Sequence, residues 1–187
     1  MAIRLESPRL IIRTLQADDQ EPWLAMFADP AVRRFLPGSA PTPQNFATTL
    51  VARHEMEEEL GYALWAVDDK STGDFVGQCG LRPARTMDPT AGSEIDLAYH
   101  FTSNTWNRGY TTEAVMAVLT YALGDDGPRL ERVMAVTMPE NVGSWRVMEK
   151  AGMRYEGRAN YYGLSGLKKY SAERAWWTPG LSSAKKE

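Results

Sequence analysis

The stretch Thr105-Trp106-Asn107-Arg108-Gly109-Tyr110-Thr111-Thr112-Glu113-Ala114 joins an extended, aromatic-rich segment to an apolar helix. The first amides of a helix have no partner inside it, and the helix dipole adds partial positive charge there. A helix start of this kind holds phosphate. Arg108 adds a fixed cation, and Gly109 lets the backbone approach a ligand with no Cβ in the way. A second helix start of similar chemistry lies at Asn141–Ser144. Ahead of the first, the segment Ser93–Phe101 alternates strictly. Glu94, Asp96, Ala98 and His100 share one face; Ile95, Leu97, Tyr99 and Phe101 share the other. Carboxylates and an imidazole on one face can move a proton, and His100 is expected to titrate near neutrality. The chemistry of these parts calls for an anionic ligand with polar contacts.

A scaffold must bring them together. Leu10–Arg13 reads as a first strand, and Gln20–Phe27 as a helix with Trp23, Leu24 and Phe27 on one face. Pro30, Pro37, Pro41 and Pro43 make Phe35–Pro43 a mobile loop or short turn. Phe46–Leu60 reads as a second helix, and Tyr62–Val67 and Phe75–Leu81 as strands joined by a hairpin turn at Asp68–Gly73. Arg82–Gly92 is expected to be a loop and Ser93–Phe101 a strand. A helix over Thr111–Leu123 carries the apolar stripe Val115, Val118, Leu119 and Ala122 and ends at Gly124. Leu130–Met138 is a further strand. Asn141 caps the next helix, and Gly152 falls just past its end. Met153–Glu156 and Lys169–Trp176 finish as strands. With no repeat and no linker, residues 1–178 read as one α/β domain and residues 179–187 as a disordered tail.

The 187 residues, 43% of them hydrophobic, are enough for one domain with an ample core. The net charge of −3, without a lysine- or arginine-dense block, argues against nucleic acid as a partner. A lone cysteine, Cys79, makes no internal disulfide and no Cys-based metal site, so it reads as a small buried apolar residue and no metal is expected. No signal-peptide-like N-terminus and no apolar run of membrane-span length is present, which leads to the expectation of a cytoplasmic protein without a membrane partner.

Four segments, in order, resemble the GNAT superfamily of acyl-CoA-dependent N-acetyltransferases, and within it the ribosomal-protein N-terminal acetyltransferases of the RimJ/RimL type. Ser7-Pro8-Arg9-Leu10-Ile11-Ile12-Arg13 resembles the opening strand. Asp96-Leu97-Ala98-Tyr99-His100-Phe101 resembles the central strand, E-[IL]-G-Y-x-[LI]. Trp106–Ala114 resembles the pyrophosphate loop W-G-[KR]-G-Y-A-T-E-A. Asn141–Met153 resembles E-N-x-x-S-x-x-[VL]-x-E-K-x-G-[FM]. The resemblance runs from Ser7 to Trp177. Three departures stand out: Asn107 for a common Gly, Thr111 where Gly or Ala is usual, and Ala98 for the strand glycine. Asn tolerates unusual backbone angles. The departures are expected to tune acyl-CoA affinity without abolishing it.

The resemblance implies a mixed, mostly antiparallel central sheet, splayed between its fourth and fifth strands and flanked by helices. It implies acetyl-CoA as cosubstrate, lying between the central strand and Leu130–Met138. Backbone at Tyr99, His100 and Phe101 pairs with the pantetheine arm. Trp106 and Asn107 lead into the loop, and the amides of Arg108, Gly109, Tyr110, Thr111 and Thr112 hold the pyrophosphate. Asn141 holds the pantetheine or orients a serine. An acceptor amine must lose its proton before attack, which assigns Asp96 as base, with Glu94 and His100 next in line. Ser144 maps to the proposed acid on the leaving thiolate, a role Tyr161 or Tyr162 could also fill. Amides of the central strand would serve the oxyanion.

Plainer readings stand beside these. Asp96 and Glu94 could be structural carboxylates, His100 a packed histidine, Asn141 a cap and Ser144 a first-turn residue. Glu113 is favoured at a helix start in any case. His54 reads as a surface residue, and Trp176 and Trp177 as packing on a last strand. The leading function is acetyl transfer to a primary amine, on a protein N-terminus or a small molecule. An acidic acceptor face would favour a polyamine or aminoglycoside. The alternative is a non-catalytic acyl-CoA sensing module. A dinucleotide binder fits less well, because the loop has one glycine and not G-x-G-x-x-G. Exposed strand edges and the Pro37–Pro43 loop leave room for a homodimer.

Overall fold

Alternating apolar residues build one eight-stranded sheet, seen in a computed structural model that describes residues 3–86 and 92–179. The strands are β1 (Arg4–Glu6), β2 (Leu10–Arg13), β3 (Leu64–Asp69), β4 (Phe75–Pro83), β5 (Ile95–Phe101), β6 (Arg132–Thr137), β7 (Arg154–Tyr161) and β8 (Leu164–Glu173). Their order across the sheet is β1-β2-β3-β4-β5-β6-β8-β7. Every neighbouring pair is antiparallel except β5 with β6. Five helices flank the sheet: α1 (Gln20–Ala28), α2 (Pro30–Arg33), α3 (Pro43–Leu60), α4 (Tyr110–Leu123) and α5 (Val142–Lys150). No described helix is long and apolar enough to cross a membrane.

The two faces of the sheet carry different cores. On one, Leu10, Ile12, Trp65, Val67, Cys79, Leu81 and Leu97 pack against α4 and α5. The predicted stripe of α4, Val115, Val118, Leu119 and Ala122, is fully buried there. Burying side chains of this size is worth about 1.5–3 kcal/mol for each Val or Leu. On the other face, Trp23, Phe27 and Phe46 from α1 and α3 close over Leu15 and Ala66. Trp23 meets both phenylalanines edge-on, with centroids 4.7 and 5.3 Å away.

Local signals set the helix ends. Thr42 caps α3 in a reciprocal box with Asn45, and Gly61 ends that helix in the left-handed region at φ 73°. Asn141 caps α5 as expected, and Gly152 follows it at φ 81°.

Several boundaries differ from the sequence reading. The short edge strand β1 and the single-turn helix α2 were not anticipated, so the splayed pair, fourth and fifth in the sequence count, is β5 and β6 here. Arg82 and Pro83 belong to β4 and not to a loop, and Thr86 bridges to Tyr161. Residues 87–91 of that loop, and the tail from residue 180 on, lie outside the described residues. The expected strand Met153–Glu156 runs on to Tyr161 and turns through Tyr162 and Gly163, at φ 56° and 76°, into β8. β7 is an edge strand, mostly exposed and irregular at Tyr155/Gly157, so it shows little apolar alternation. The last strand ends at Glu173, and Trp176 and Trp177 lie beyond it.

Candidate active site

β5 and β6 pair in parallel at Asp96 and Met134. Beyond that point Leu97–Phe101 and Val136–Met138 form opposite walls of a cavity of about 1100 Å³. The alternation of β5 divides it. Tyr99 faces α5, while Asp96 and His100 face the side closed by α1–α3. Among the predicted residues, Asp96, Tyr99, His100, Phe101, Trp106, Asn107, Gly109, Thr111, Thr112, Asn141 and Ser144 all line this cavity.

At one end stands the start of α4. Gly109 is its N-terminal flanking residue, at φ 80° and ψ 0°. Asn107 also holds a left-handed angle, φ 60°. The Trp106 indole donates to the Phe101 carbonyl at 2.9 Å and ties the loop to β5. A Cβ on Gly109 would come within 3.3 Å of Arg9 Nη2. That bare glycine beside a guanidinium and a run of helix-start amides fits a pyrophosphate. The side chains of Arg108 and Tyr110 do not line the cavity. Tyr110 is buried and its hydroxyl donates to Asp69 at 2.6 Å.

Glu113 braces this loop. It accepts from Ser7 Oγ and the Arg9 amide, both at 2.7 Å, and pairs with the Arg9 guanidinium at 2.6 Å. Arg9 in turn donates to the Arg108 carbonyl at 2.9 Å and stacks on Tyr110. Burial pushes the Glu113 carboxyl up, but the bonds from Ser7 and Arg9 outweigh it and hold the group below the ordinary range. The structural role expected for Glu113 is what these contacts show.

On the α5 side, the Asn141 side chain accepts from the Ser144 amide at 3.3 Å. The Tyr99 hydroxyl donates to the Ser144 carbonyl at 2.9 Å and lies 3.0 Å from Ser144 Oγ. Burial pushes the Tyr99 hydroxyl well above the usual tyrosine range, so it keeps its proton.

On the opposite face, Asp96 is buried and held at one oxygen. Arg82 Nε and Nη2 reach Oδ2 at 3.0 and 2.9 Å, and the Tyr162 hydroxyl donates to it at 2.6 Å. Burial raises the carboxyl above its ordinary range, against the opposing pull of Arg82 and Tyr162. Arg82 also lies under the Tyr162 ring, 4.6 Å from its centroid. His100 does not titrate near neutrality as expected. Burial first, then Arg82 and Arg53, push it down to about 3, and its Nδ1 meets the Gln78 amide at 2.9 Å. Glu94 does not line the large cavity; it pairs with Lys169 at 2.7 Å and accepts from Tyr161. His54 is exposed, with Nε2 at 2.7 Å from the Leu15 carbonyl.

Three contributors were missed: the Arg9 brace, the Arg82 partner of Asp96, and the Tyr99 hydroxyl. Arg9 and Tyr99 lie inside the motif segments, but a single sequence shows no contact between residues 104 positions apart, as Arg9 and Glu113 are, or 45 apart, as Tyr99 and Ser144 are. Arg82 gave no signal, because it was assigned to a loop.

The family model described as an acetyltransferase (GNAT) domain matches residues 9–154. The chain is 32% identical over 155 residues to YkkB of Bacillus subtilis, covering 81% of this chain and 86% of that protein. Its fold resembles the ribosomal-protein-S5-alanine acetyltransferase of Vibrio fischeri, with TM-score 0.75 and 19% identity, over 95% of this chain and 100% of the other. It also resembles Mycobacterium smegmatis RimJ in complex with CoA-disulfide, with TM-score 0.70 and 17% identity, over 92% of this chain and 86% of the other. At these identities the two structures speak to the fold.

Proposed function

The chain belongs to the acetyltransferase (GNAT) domain family and is an acetyl-CoA-dependent acetyltransferase, and from that premise we propose that its acceptor is a primary amine, attacked directly in a ternary complex. The observation that supports this reading is the single cavity wall shared by the α4 start and Asp96. A phosphate-binding end and a proton-handling end open onto one space, about 1100 Å³ in volume.

The roles follow the two faces of β5. The α4 start and Gly109 hold the pyrophosphate, and Asn141 and the β5 edge hold the pantetheine. Asp96 takes the proton of the acceptor ammonium, directly or through water; a raised carboxyl retains that proton better than an ordinary one. Arg82 and Tyr162 fix its orientation. Ser144 donates to the leaving thiolate, and Tyr99, locked in its neutral form beside Ser144 Oγ, positions that hydroxyl. The domain is proposed to span residues 1–178. A peptide N-terminus is one acceptor form, in keeping with the named activity of the Vibrio fischeri neighbour. A homodimer remains a proposal.

The test is thiol release from acetyl-CoA with a panel of small amines and N-terminal peptides. Release that depends on an amine supports the reading. CoA binding without release to any amine or peptide favours the sensing module instead.

A further inference from the structure

Around its one carboxylate, the Asp96 side of the cavity is walled by apolar side chains. On β6, Val133 and Ala135 pack toward α4 and α5, which turns Met134 and Val136 to the opposite face. There Val136 and Met138 cluster with Tyr162 and with Leu164 and Leu167 of β8. The Tyr162 hydroxyl reaches Asp96, so this cluster stands on the Asp96 side of the sheet. The facing wall comes from α2 and the turn after it. Val32 and Leu36 pack with Phe27, which meets the His100 ring at 5.2 Å. Phe35, next in the chain to Leu36, carries the Arg34 guanidinium over its ring, 5.2 Å from the centroid. Val32, Phe35, Leu36, Val136, Leu164 and Leu167 all line the cavity.

Charge on this side is sparse. Asp96 is paired with Arg82, and His100, pushed down to about 3 by burial, is uncharged near neutrality. Arg34 adds a further cation to the wall. The other carboxylate lining the cavity, Glu140, is exposed and stands next to the α5 cap. Among the described residues, the acceptor side thus offers one carboxylate to one ammonium. The acidic face that would suit a polyamine or aminoglycoside is not there. The further ammonium groups of such a molecule would lose hydration against apolar walls and guanidiniums.

We propose that the acceptor is a monoamine with a bulky apolar or aromatic group beside its amine, and that Phe35 and Leu164, one on each wall, select for that group. This rests on the acetyl-transfer reading above. Two sources present the same chemistry: the first side chain of a peptide N-terminus, and the body of a small arylalkyl amine.

The test compares matched acceptors that differ in that group. Peptides beginning with Leu or Phe are set against the same peptide beginning with Gly, and phenethylamine against ethylamine, with spermidine as the polycationic reference. The bulky apolar member should lead by about tenfold to a hundredfold in kcat/KM, the value of burying one such side chain. Whichever pair discriminates identifies the source. Phe35→Ala and Leu164→Ala should each cut the preference several-fold. Leu164→Asp, which places an anion on the apolar wall, should narrow the gap between the apolar acceptor and spermidine at least tenfold. Both residues are half-buried, and a thermal melt confirms that each variant is folded. Equal use of both members of each pair, or a wild-type preference for spermidine, overturns the proposal. So do folded variants at both positions that discriminate as the wild type does. Binding of the N-acetylated products to the CoA-loaded protein is measured in parallel. A protein that transfers acetyl to no amine but still prefers the apolar product would overturn the acetyl-transfer reading and keep this one. Equal binding of the apolar and glycyl products would overturn this one.

Discussion

Gly109→Ala is the sharpest probe of the phosphate cradle, because its cost can be built from two separate parts. The backbone at Gly109 sits at φ 80°, where a side chain costs about 1–2 kcal/mol. The added Cβ lies 3.3 Å from Arg9 Nη2, so the guanidinium must give way. Its pair with Glu113 is partly exposed, with the Arg9 side chain 46% accessible, and adds at most about 1 kcal/mol. The total, about 1–3 kcal/mol, lowers the melting temperature by roughly 2–4 °C per kcal/mol in a chain of this size. The ligand effect is separate. Re-aiming even one helix-start amide loses a charge-assisted bond to phosphate, which weakens CoA about tenfold to a hundredfold.

Gly61→Ala provides the control. Gly61 has nearly the same backbone angle, φ 73°, but open space around the new Cβ, and it ends α3 away from the cavity wall. It should lose similar stability and keep wild-type affinity for CoA. The assay is a thermal melt of each variant, followed by calorimetric titration with CoA. If the two variants melt alike and both bind CoA as the wild type does, the α4 start does not hold the pyrophosphate.

Three further outcomes are expected. Asn141→Ala loses the cap on Ser144, worth about 0.5–2 kcal/mol, and also weakens CoA binding; a melting shift with unchanged CoA affinity would leave Asn141 as a cap alone. Asp96→Asn binds acetyl-CoA normally but turns over on the order of 10²–10⁴-fold more slowly and loses the acidic limb of its pH–rate profile, while Ser144→Ala distorts the alkaline limb; wild-type kcat at every pH for Asp96→Asn would move the base elsewhere. Glu113→Gln removes about 1–3 kcal/mol that is present above the ordinary carboxyl value of 4.5 and lost as pH falls through the lowered folded value, so urea melts of the two proteins should converge in acid and not near neutrality.

The elements that position the site were legible where local chemistry sets them. The α4 stripe, the Asn141 cap and the alternation of Ser93–Phe101 each follow from a period or a cap, and each is present. Long-range pairing was not legible. Arg82 meets Asp96 only because β4 and β5 stand in register at those two residues. Arg9 reaches Glu113 across 104 positions. His100 carried a misleading signal: its type suggests titration near neutrality, but its setting beneath Phe27, against Gln78 and near two guanidiniums, removes that property. The β7–β8 hairpin was foreshortened because an exposed edge strand needs no apolar alternation.

The proposed division of labour across the cavity depends on the register of a single strand. In β5, Asp96 and His100 point to one face and Tyr99 to the other, so a one-residue slip against β4 would exchange the faces on which the proposed base and the proposed thiol-side residues stand. Two kinds of contact oppose that slip. Gln78 stands opposite His100 and bonds to it, while its carbonyl oxygen holds the Trp23 indole on the acceptor face. Cys79 stands opposite Tyr99 and is fully buried on the face packed by α4 and α5. A slipped strand would bury Gln78 against the wrong neighbour and leave its amide without a partner, at a cost comparable to a lost buried hydrogen bond. The polar pair that looks incidental to catalysis therefore keeps Asp96 and Tyr99, with its partner Ser144, on opposite faces of β5, the arrangement on which the proposed direct transfer relies.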